Sequence, residues 1–536
     1  MLTGLMSKPF YITTAIDYVN GAPHLGHAYE KILADVMARA HRSFGEEVFF
    51  LTGLDEHGQK VQQAAQAEGK DPQAYCDGWA AFWADFIAKL NLSNTDYIRT
   101  TQPRHQEVVG ALLTKLRDQG ELYKAGYDGW YSIKEETFLT EKDRNEDGTW
   151  DAKWGQVVPL KEENWYFRMS KYQGWLIEFL EANPQFVQPD YRRNEVLGFL
   201  RSEKLEDLCI SRPSTRLNWG IPIPFDPAYV NYVWFDALTN YFSVPASAGD
   251  PAVLACLGDY YRREHRVPPT PPGARGIWPA DVHLIGKDII KFHAVYWPIM
   301  LHAAGAPLPK QILAHGWWQK DGQKLSKSTG NVVDPVAVID KWGQDAFRYF
   351  MVRELDLGPD GNWTDAGFEG RYNAELANGL GNLLNRSLSM LQKYRGGVLA
   401  SVSNELEGEA AAIAAKAESH LRGNHLQDAL VAIWELVVRG NQYIEQNRPF
   451  SLAKDPTQAE RLDAVLYNLI ETCRILAVML HPFLPKTSER IYAQLKVCGE
   501  PDHWTSTKWG ELVARHQVGE PVPLFPRFDI PPKKKA

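Results

Sequence analysis

The first 55 residues alternate short apolar runs with one helical pattern. Residues 10–14 are β-branched and aromatic, as strands prefer, and residues 20–23 have turn chemistry. From Ala28 the apolar positions recur at three- and four-residue steps, which predicts a helix. The apolar run at 48–51 is typical of a buried parallel strand. Strand, helix and strand in this order predict the opening of a doubly wound α/β sheet.

The middle of the chain has a less regular pattern of apolar and polar positions. Residues 119–208 mix glycine, tryptophan and charged clusters, which favours an insertion, and residues 140–155 are predicted to form a loop inside it. An apolar run at 282–285 predicts another strand, followed by a stretch compatible with a helix through Trp297. The proline-rich residues 267–273 are predicted to be a surface linker.

After about residue 371 the pattern is helical. Leucine, isoleucine and valine recur at helical spacing within 426–437 and 462–480, and His481 and Pro482 are expected to end the second helix. The sequence therefore predicts an α/β protein, a Rossmann-type parallel sheet interrupted by an insertion and followed by an all-α domain.

Composition excludes several classes. The 536 residues are 44% hydrophobic and 23% charged, ordinary values for a globular protein and unlike a disordered one. The net charge of −8 argues against a protein that coats nucleic acid through its overall charge. It does not exclude a protein that binds nucleic acid through a local basic face. We expect no secretory signal, no membrane span and a cytoplasmic location. The five cysteines are scattered, which indicates a reducing compartment without a disulfide framework.

Two short motifs carry candidate chemistry. His24-Leu25-Gly26-His27 stands where the first helix begins, and a helix N-terminus with a glycine and two imidazoles suits phosphate binding. Lys324-Leu325-Ser326-Lys327-Ser328 is a cationic segment able to clamp a polyphosphate. Taken alone, the first motif is equally compatible with two surface histidines, and the second is better explained as a solvated loop.

Taken together, the motifs resemble those of class I aminoacyl-tRNA synthetases. Four further segments, Ala15–Tyr18, Asp55–Gly58, Trp234–Ala237 and Gly286–Ile289, resemble methionyl-tRNA synthetases, and the resemblance spans about residues 9–490. It implies five domains: the first half of the catalytic domain (1–118), a connective insertion (119–208), the second catalytic half (209–313), a KLSKS and stem-contact region (314–370) and an α-helical anticodon-binding domain (371–536).

The resemblance also implies roles for individual residues. His24, Gly26, His27, Lys324, Ser326, Lys327 and Ser328 would bind ATP, with the histidines and lysines catalytic. Asp55 would hold the methionine ammonium group and Arg212 would anchor the substrate. The side chain of methionine would lie among Ile16, Tyr18, Trp234, Ala237, Tyr241, Ile289, His293 and Trp297, although each aromatic residue could equally be core. Asn382, Arg386 and Phe450 would read the anticodon.

The implied reaction joins L-methionine to tRNA(Met) by way of methionyl-adenylate, with ATP and Mg²⁺. Phe450 stands where the family usually has tryptophan. Many relatives carry a cysteine zinc knuckle in the insertion, but this stretch has no cysteine, so no structural zinc is expected. Residues 143–151 match half of a calcium loop, and a loop made rigid by Trp150 and Trp154 is the better interpretation.

Three alternatives stay open at this point. Another class I synthetase could share the motifs, whereas a non-catalytic tRNA-binding paralogue would be expected to lose the histidine or the lysine pair, and both pairs are intact here. A metabolic nucleotidylyltransferase would share only the first motif and would not need Asn382, Arg386 or a helical tail. The chain ends soon after the helical domain, so we expect a monomer.

Overall fold

In the computed structural model, the described residues are 8–134, 137–145, 147–261, 276–324 and 332–526. The chain divides into two compact units. The first comprises residues 1–22, 51–84 and 94–314, and the second comprises 23–50, 85–93 and 315–536. No helix among the described residues is long and apolar enough to cross a membrane.

The strands of the described chain are β1 (Phe10–Thr14), β2 (Asp17–Tyr18), β3 (Val48–Asp55), β4 (Asp96–Arg99), β5 (Leu122–Ser132), β6 (Thr137–Leu139), β7 (Val157–Phe167), β8 (Val187–Gln188), β9 (Leu208–Cys209), β10 (Ser211–Pro213), β11 (Tyr229–Asn231), β12 (Val282–Gly286), β13 (Ile312–His315), β14 (Trp318–Lys320), β15 (Gln323–Lys324) and β16 (Gly361–Trp363).

The α-helices of the described chain are α1 (Leu25–Ser43), α2 (Gln59–Ala67), α3 (Pro72–Leu90), α4 (Pro103–Asp118), α5 (Gln173–Ala182), α6 (Asp190–Ser202), α7 (Val233–Ala248), α8 (Pro251–Leu257), α9 (Trp297–Ala304), α10 (Pro335–Trp342), α11 (Gln344–Glu354), α12 (Asp365–Arg371), α13 (Asn382–Arg395), α14 (Glu407–Arg422), α15 (Leu426–Asn447), α16 (Pro449–Leu452), α17 (Ala459–Leu480) and α18 (Pro485–Leu495). Two π-helical turns, Phe292–Tyr296 and Tyr372–Gly381, run into α9 and α13.

The predicted parallel sheet is confirmed. Its seven strands follow the order β2-β3-β1-β12-β13-β8, with β4 also paired to β3. The pairs β1–β12, β2–β3, β3–β4 and β13–β8 run parallel. All eight residues of β3 are buried, as expected of a strand covered on both faces.

The insertion is more regular than its sequence indicates. An antiparallel sheet of order β6-β5-β7-β9 occupies it, and β5 pairs with β7 along all eleven residues. Burial along β5 alternates between half-buried and exposed positions rather than between core and solvent. Glycine and charged residues on the exposed positions therefore hide the strand pattern. The linker predicted at 267–273 lies outside the described residues.

The helical second unit agrees with the sequence pattern. The helix α17 ends at Leu480, directly before His481 and Pro482, as predicted. The small sheet β15-β14-β16 follows a tight crossing at Gly316, where an added Cβ would lie 1.9 Å from the carbonyl oxygen of Pro359. Only glycine permits this approach.

A buried arginine holds several segments of the second unit together. Arg348 on α11 donates hydrogen bonds to the backbone oxygens of Leu90, Pro482 and Phe483. It also forms an ion pair of 2.7 Å with Asp35 on α1, and both side chains are fully buried. Burial lowers the pKa of Arg348. Burial alone would raise the pKa of Asp35, but Arg348 and Arg39 outweigh it and hold that pKa below its ordinary value.

Candidate active site

The helix α1 begins with a reciprocal cap made by two histidines. His24 is the N-cap residue, and its Nδ1 accepts a hydrogen bond of 3.1 Å from the backbone nitrogen of Gly26. The Nδ1 of His27 accepts one of 3.1 Å from the backbone nitrogen of His24. The two rings stack with centroids 3.6 Å apart. This cap explains why the helix begins at Leu25 rather than at the predicted Ala28.

The cap fixes the tautomer of both rings. A nitrogen that accepts a hydrogen bond cannot carry a proton, so each neutral imidazole carries its proton on Nε2. The first turn of α1 contains no acidic residue that would repel an anion. The cap thus presents two Nε2–H donors and the positive end of a helix dipole at one place, an arrangement that suits phosphate.

The second cationic motif lies mostly outside the described residues. Lys324 ends β15, which pairs antiparallel with β14 so that Lys324 stands opposite Gln319. Ser326, Lys327 and Ser328 fall outside the described residues.

Two helical segments of the first unit carry most of the residues expected to surround the methionine side chain. Trp234, Ala237 and Tyr241 share one face of α7. Ile289, His293 and Trp297 recur at four-residue steps along the segment that runs from residue 287 into α9. A hydrogen bond of 2.8 Å between the Tyr241 hydroxyl and His293 Nε2 joins the two segments.

The direction of that hydrogen bond follows from its neighbours. His293 Nδ1 lies 3.0 Å from the carbonyl oxygen of Ile289, which can only accept, so Nδ1 carries the proton of the neutral ring. The Tyr241 hydroxyl therefore donates to Nε2. An uncharged hydroxyl–imidazole pair of this kind suits a thioether neighbour better than a charged side chain.

Trp297 belongs to the core beneath this segment. It is fully buried, and its indole nitrogen donates to His283 Nε2 at 3.3 Å. Burial lowers the pKa of His283 well below its ordinary value, so the ring stays neutral and can accept this bond. Packing accounts for Trp297 at least as well as substrate contact does.

Trp234 is half-buried and stacks on Phe292 with centroids 3.6 Å apart and ring planes within 6° of parallel. Phe292 was not among the residues expected to surround the methionine side chain, although it stands one residue before His293. The pair forms an aromatic wall beside the segment that carries Ile289 and His293.

Tyr18 and Asp55 stand opposite each other in the parallel pair β2–β3. Gly58 follows closely with φ of +107°, and a Cβ on it would lie 2.7 Å from the Tyr18 hydroxyl. A carboxylate and a phenol at the end of adjoining parallel strands lie at the edge where ligands of α/β sheets bind. Ile16, which connects β1 to β2, is half-buried.

A buried carboxylate holds the segment that follows Asp55. Asp236 on α7 lies 2.7 Å from His57 Nδ1 and 2.6 Å from His105 Nε2, and it is fully buried. Burial alone would raise the pKa of Asp236, but His57 and His105 outweigh it and hold the pKa below its ordinary value. The sequence contained Asp236 and His57 inside resembling segments but gave no sign that they pair.

Arg212 lies on β10 among aromatic rings. Its guanidinium carbon is 4.6 Å from the ring centroid of Tyr232 and 4.8 Å from that of Phe138, and the side chain is buried. It also donates to the backbone oxygen of Ser211. These contacts fix its position through cation–π packing.

The residues expected to read the anticodon lie in the second unit. Asn382 and Arg386 line a groove bordered by α13, α14 and α15. Asn382 Nδ2 donates to Asn441 Oδ1 at 3.2 Å, and Arg386 forms an ion pair of 2.8 Å with Glu445. Phe450 lies on α16 and is 43% exposed, which leaves its ring accessible for stacking.

The cysteine-free loop of the insertion is closed by an antiparallel bridge between Arg144 and Trp150. The guanidinium of Arg144 lies 4.8 Å and 5.2 Å from the ring centroids of Trp130 and Trp150. The Asp147 carboxylate accepts from the backbone and hydroxyl of Thr149 inside the turn. Nowhere in the described chain do three or more His, Cys, Asp or Glu side chains gather in a way that could hold a metal ion.

A parallel sheet, a histidine-capped first helix and a helical domain define a class I aminoacyl-tRNA synthetase. The family model described as tRNA synthetases class I (M) matches residues 10–148 and 154–388. The model for the anticodon binding domain of methionyl tRNA ligase matches residues 395–527. The chain belongs to the methionyl-tRNA synthetase family.

Individual relatives agree. The methionine–tRNA ligase of Bacillus subtilis is 44% identical over 98% of this chain and 78% of its own length. That of Rhizobium meliloti is 42% identical over 98% of this chain and 99% of its own. The methionyl-tRNA synthetase of Mycobacterium tuberculosis, solved in complex with methionyl-adenylate, has a TM-score of 0.86 and 37% identity over 97% of this chain and 100% of that one.

The matches to these family models and relatives establish the activity of the chain. The chain uses ATP to join methionine to tRNA(Met) through methionyl-adenylate. None of the three relatives is a ligase for another amino acid or a nucleotidylyltransferase, so nothing favours the alternatives left open by the sequence.

Proposed function

We propose that the capped end of α1 stabilises the phosphates of ATP during adenylate formation. The methionine carboxylate attacks the α-phosphorus and pyrophosphate leaves, so negative charge builds on the phosphate oxygens. His24 and His27 would donate from Nε2 to those oxygens, and Gly26 would let the nucleotide approach the backbone. The observation that carries this proposal is the pair of Nδ1 caps, which commits both rings to Nε2–H.

Lys324, Ser326, Lys327 and Ser328 would hold the β- and γ-phosphates and the departing pyrophosphate. Mg²⁺, when bound, would neutralise phosphate charge. Because Mg²⁺ in nucleotide sites binds substrate phosphates and keeps several waters, we expect the ATP phosphates rather than a protein cage to carry the ion.

Methionine would bind in the first unit. Asp55 would hold its ammonium group, and Arg212 would anchor the substrate near its charged end. The thioether would lie among the residues that share the two helical faces, namely Trp234, Ala237 and Tyr241 with Ile289, His293 and Trp297, together with Ile16 and Tyr18. Sulfur packs well against aromatic edges, so this set of residues favours a thioether over a polar substrate side chain.

In the second step, the 2′-hydroxyl of the tRNA terminal ribose would attack the adenylate and release AMP. Asn382 and Arg386 would bind base edges of the anticodon, and Phe450 would stack on a base. We expect the chain to act as a monomer, which analytical ultracentrifugation with tRNA absent and present would check.

Amino-acid-dependent ATP–pyrophosphate exchange, measured for each protein amino acid, tests the proposal. We expect exchange with methionine alone. Lys327→Ala should depress exchange far more than it weakens methionine binding measured by calorimetry, whereas Lys341→Ala on α10 serves as a control that should change neither. Equal losses of exchange and of methionine binding in Lys327→Ala would mean that the segment has a structural role only.

A further inference from the structure

The groove that contains Asn382 and Arg386 has a second amide on its opposite wall. Asn441, near the middle of α15, lines the same groove. Its Nδ2 lies 3.0 Å from the carbonyl oxygen of Val437 and 3.2 Å from that of Gly379. Its Oδ1 lies 3.2 Å from Asn382 Nδ2.

These contacts fix which way round the Asn441 amide lies. A backbone carbonyl oxygen can only accept a hydrogen bond, so the side-chain atom facing Val437 and Gly379 must be the amide nitrogen. The Asn441 oxygen therefore faces Asn382, and only the amide nitrogen of Asn382 can donate to it. A reversed Asn382 would bring two oxygens together without a proton between them.

We propose that Asn441 is a positioning residue for anticodon recognition, which fixes the Asn382 amide so that Oδ1 is the atom offered to a base. The inference rests on the proposed role of Asn382 in reading the anticodon. An amide oxygen accepts a hydrogen bond from an exocyclic amine, so Oδ1 favours a base with an amine at C4 of a pyrimidine or C6 of a purine, which is cytosine or adenine. Uracil and guanine carry a keto oxygen at the equivalent place and would face Oδ1 with no proton to share.

Arg386 supplies the complementary half of the site. It stands one helical turn beyond Asn382 and provides only donors, which suit the ring nitrogen and oxygen acceptors beside the amine. Glu445 holds its guanidinium at 2.8 Å. The anticodon that pairs with the methionine codon is CAU, and two of its three bases carry an amine. The arrangement of one acceptor beside several donors therefore matches a base of that triplet.

The backbone that anchors Asn441 is itself unusual. Gly379 lies in the π-helical turn Tyr372–Gly381, which leads directly into Asn382. Such turns disturb the regular pairing of carbonyl groups and are frequent at functional sites. A Cβ on Gly379 would meet its nearest neighbours at 3.6 Å or more, ordinary van der Waals contact. The carbonyl of Gly379, rather than its lack of a side chain, is what holds the Asn441 amide.

The test compares aminoacylation of four tRNA(Met) transcripts, one with anticodon CAU and three in which one base is changed, C to U, A to G or U to C. For each protein, kcat/KM with CAU is divided by kcat/KM with the changed transcript. We expect Asn441→Leu and the smaller change Asn441→Ser to lower this ratio by about tenfold at one of the two amine-bearing positions, since a good base-edge contact is worth about that much discrimination. Gln442→Ala, which changes the residue next to Asn441 in the groove, should keep the ratio of the unchanged protein.

Methionine-dependent ATP–pyrophosphate exchange, which needs no tRNA, is measured for every variant. Unchanged exchange shows that the catalytic unit is intact, and aminoacylation of the CAU transcript by the unchanged protein tests the proposed function separately. Loss of kcat/KM by the same factor with all four transcripts would overturn the inference, because a merely structural residue would act in that way. The inference would also be overturned if Asn441→Leu and Asn441→Ser kept the kcat/KM ratio of the unchanged protein at both amine-bearing positions.

Discussion

His24 and His27 cap the same helix through each other, with each Nδ1 accepting from the backbone and the two rings stacked 3.6 Å apart. The residues that start the helix are therefore the residues proposed to bind phosphate. Structure and chemistry use different atoms of the same rings, Nδ1 for the cap and Nε2 for the ligand. This separation allows the two roles to be tested independently.

Asn and Gln keep an oxygen that can cap the helix, but they do not keep the ring Nε2–H donor in its place. Asparagine is a good N-cap residue, and glutamine at the third position of a helix completes a capping box. We expect His24→Asn and His27→Gln to keep the melting temperature but to lower methionine-dependent exchange by about 10²-fold, the usual effect of losing one preorganised donor. His24→Ala should also lose about 1 kcal/mol of stability. Exchange that survives in His24→Asn would show that the ring acts only as a cap.

The sequence predicted these histidines because both lie in one contiguous motif. The resemblance to the synthetase family, rather than the spacing, supplied the candidate residues on α7 and on the segment leading into α9, and the structure places each set on one helical face. The sequence could not predict side-chain partners that are distant along the chain. His105 is 131 residues from Asp236, and Asn441 is 59 residues from Asn382, so no local pattern connects them. The insertion hairpin was missed because its two faces differ little in burial.

The Asp35–Arg348 pair should dominate the stability of the second unit. Removing one member of a buried pair leaves an uncompensated charge, at a cost of about 3–5 kcal/mol. Asp35→Asn should therefore lower the free energy of unfolding in urea by that amount. Asp340→Asn removes the exposed partner of Lys89 and should cost less than about 1 kcal/mol. Similar losses in the free energy of unfolding for Asp35→Asn and Asp340→Asn would show that burial does not make the Asp35–Arg348 pair more stabilising than an exposed pair.

The hairpin at residues 144–150 should hold its shape without a metal. Arg144 over Trp130 and Trp150 supplies cation–π contacts of about 0.5–2 kcal/mol. Treatment with EDTA is expected to leave the melting temperature unchanged, whereas Arg144→Ala should lower it by a few degrees. A large drop on chelation would mean that a bound ion stabilises the fold. Lys161→Ala, on an exposed strand position of the same insertion, is the control for Arg144→Ala.

Substitutions of Phe450 should change the affinity for tRNA without changing the rate of adenylate formation. Stacking of a base on an aromatic ring is worth about 1–3 kcal/mol, and indole offers more area than phenyl. Phe450→Ala should lower kcat/KM for tRNA by about tenfold, and Phe450→Trp should raise it, with ATP–pyrophosphate exchange constant in both. A Phe450→Ala variant that aminoacylates tRNA normally would remove Phe450 from the anticodon site.

Asp236 should make the first unit sensitive to acid. Its pKa in the folded protein is held below the ordinary value of 3.8 because His57 and His105 outweigh the effect of burial. Protonation is then harder in the folded than in the unfolded chain. The carboxylate therefore contributes stability that is fully present above about pH 3.8 and is lost as the pH falls through the lower folded-state value.

Asp236→Asn removes this contribution. Hydrogen bonds to a charged group are worth about 1.5–3 kcal/mol each, so the variant should unfold at lower urea concentration near pH 7. The difference from the unchanged protein should shrink as the pH falls below about 3.8, because protonation of Asp236 then removes from the unchanged protein the charge that the variant already lacks. Since His57 follows Asp55 closely, the variant should also raise KM for methionine in the exchange assay. Asp128→Asn, at an exposed ion pair of the insertion, is expected to change neither quantity. A stability difference that stays constant from pH 7 to pH 3 would mean that the carboxylate is not ionised between the two histidines.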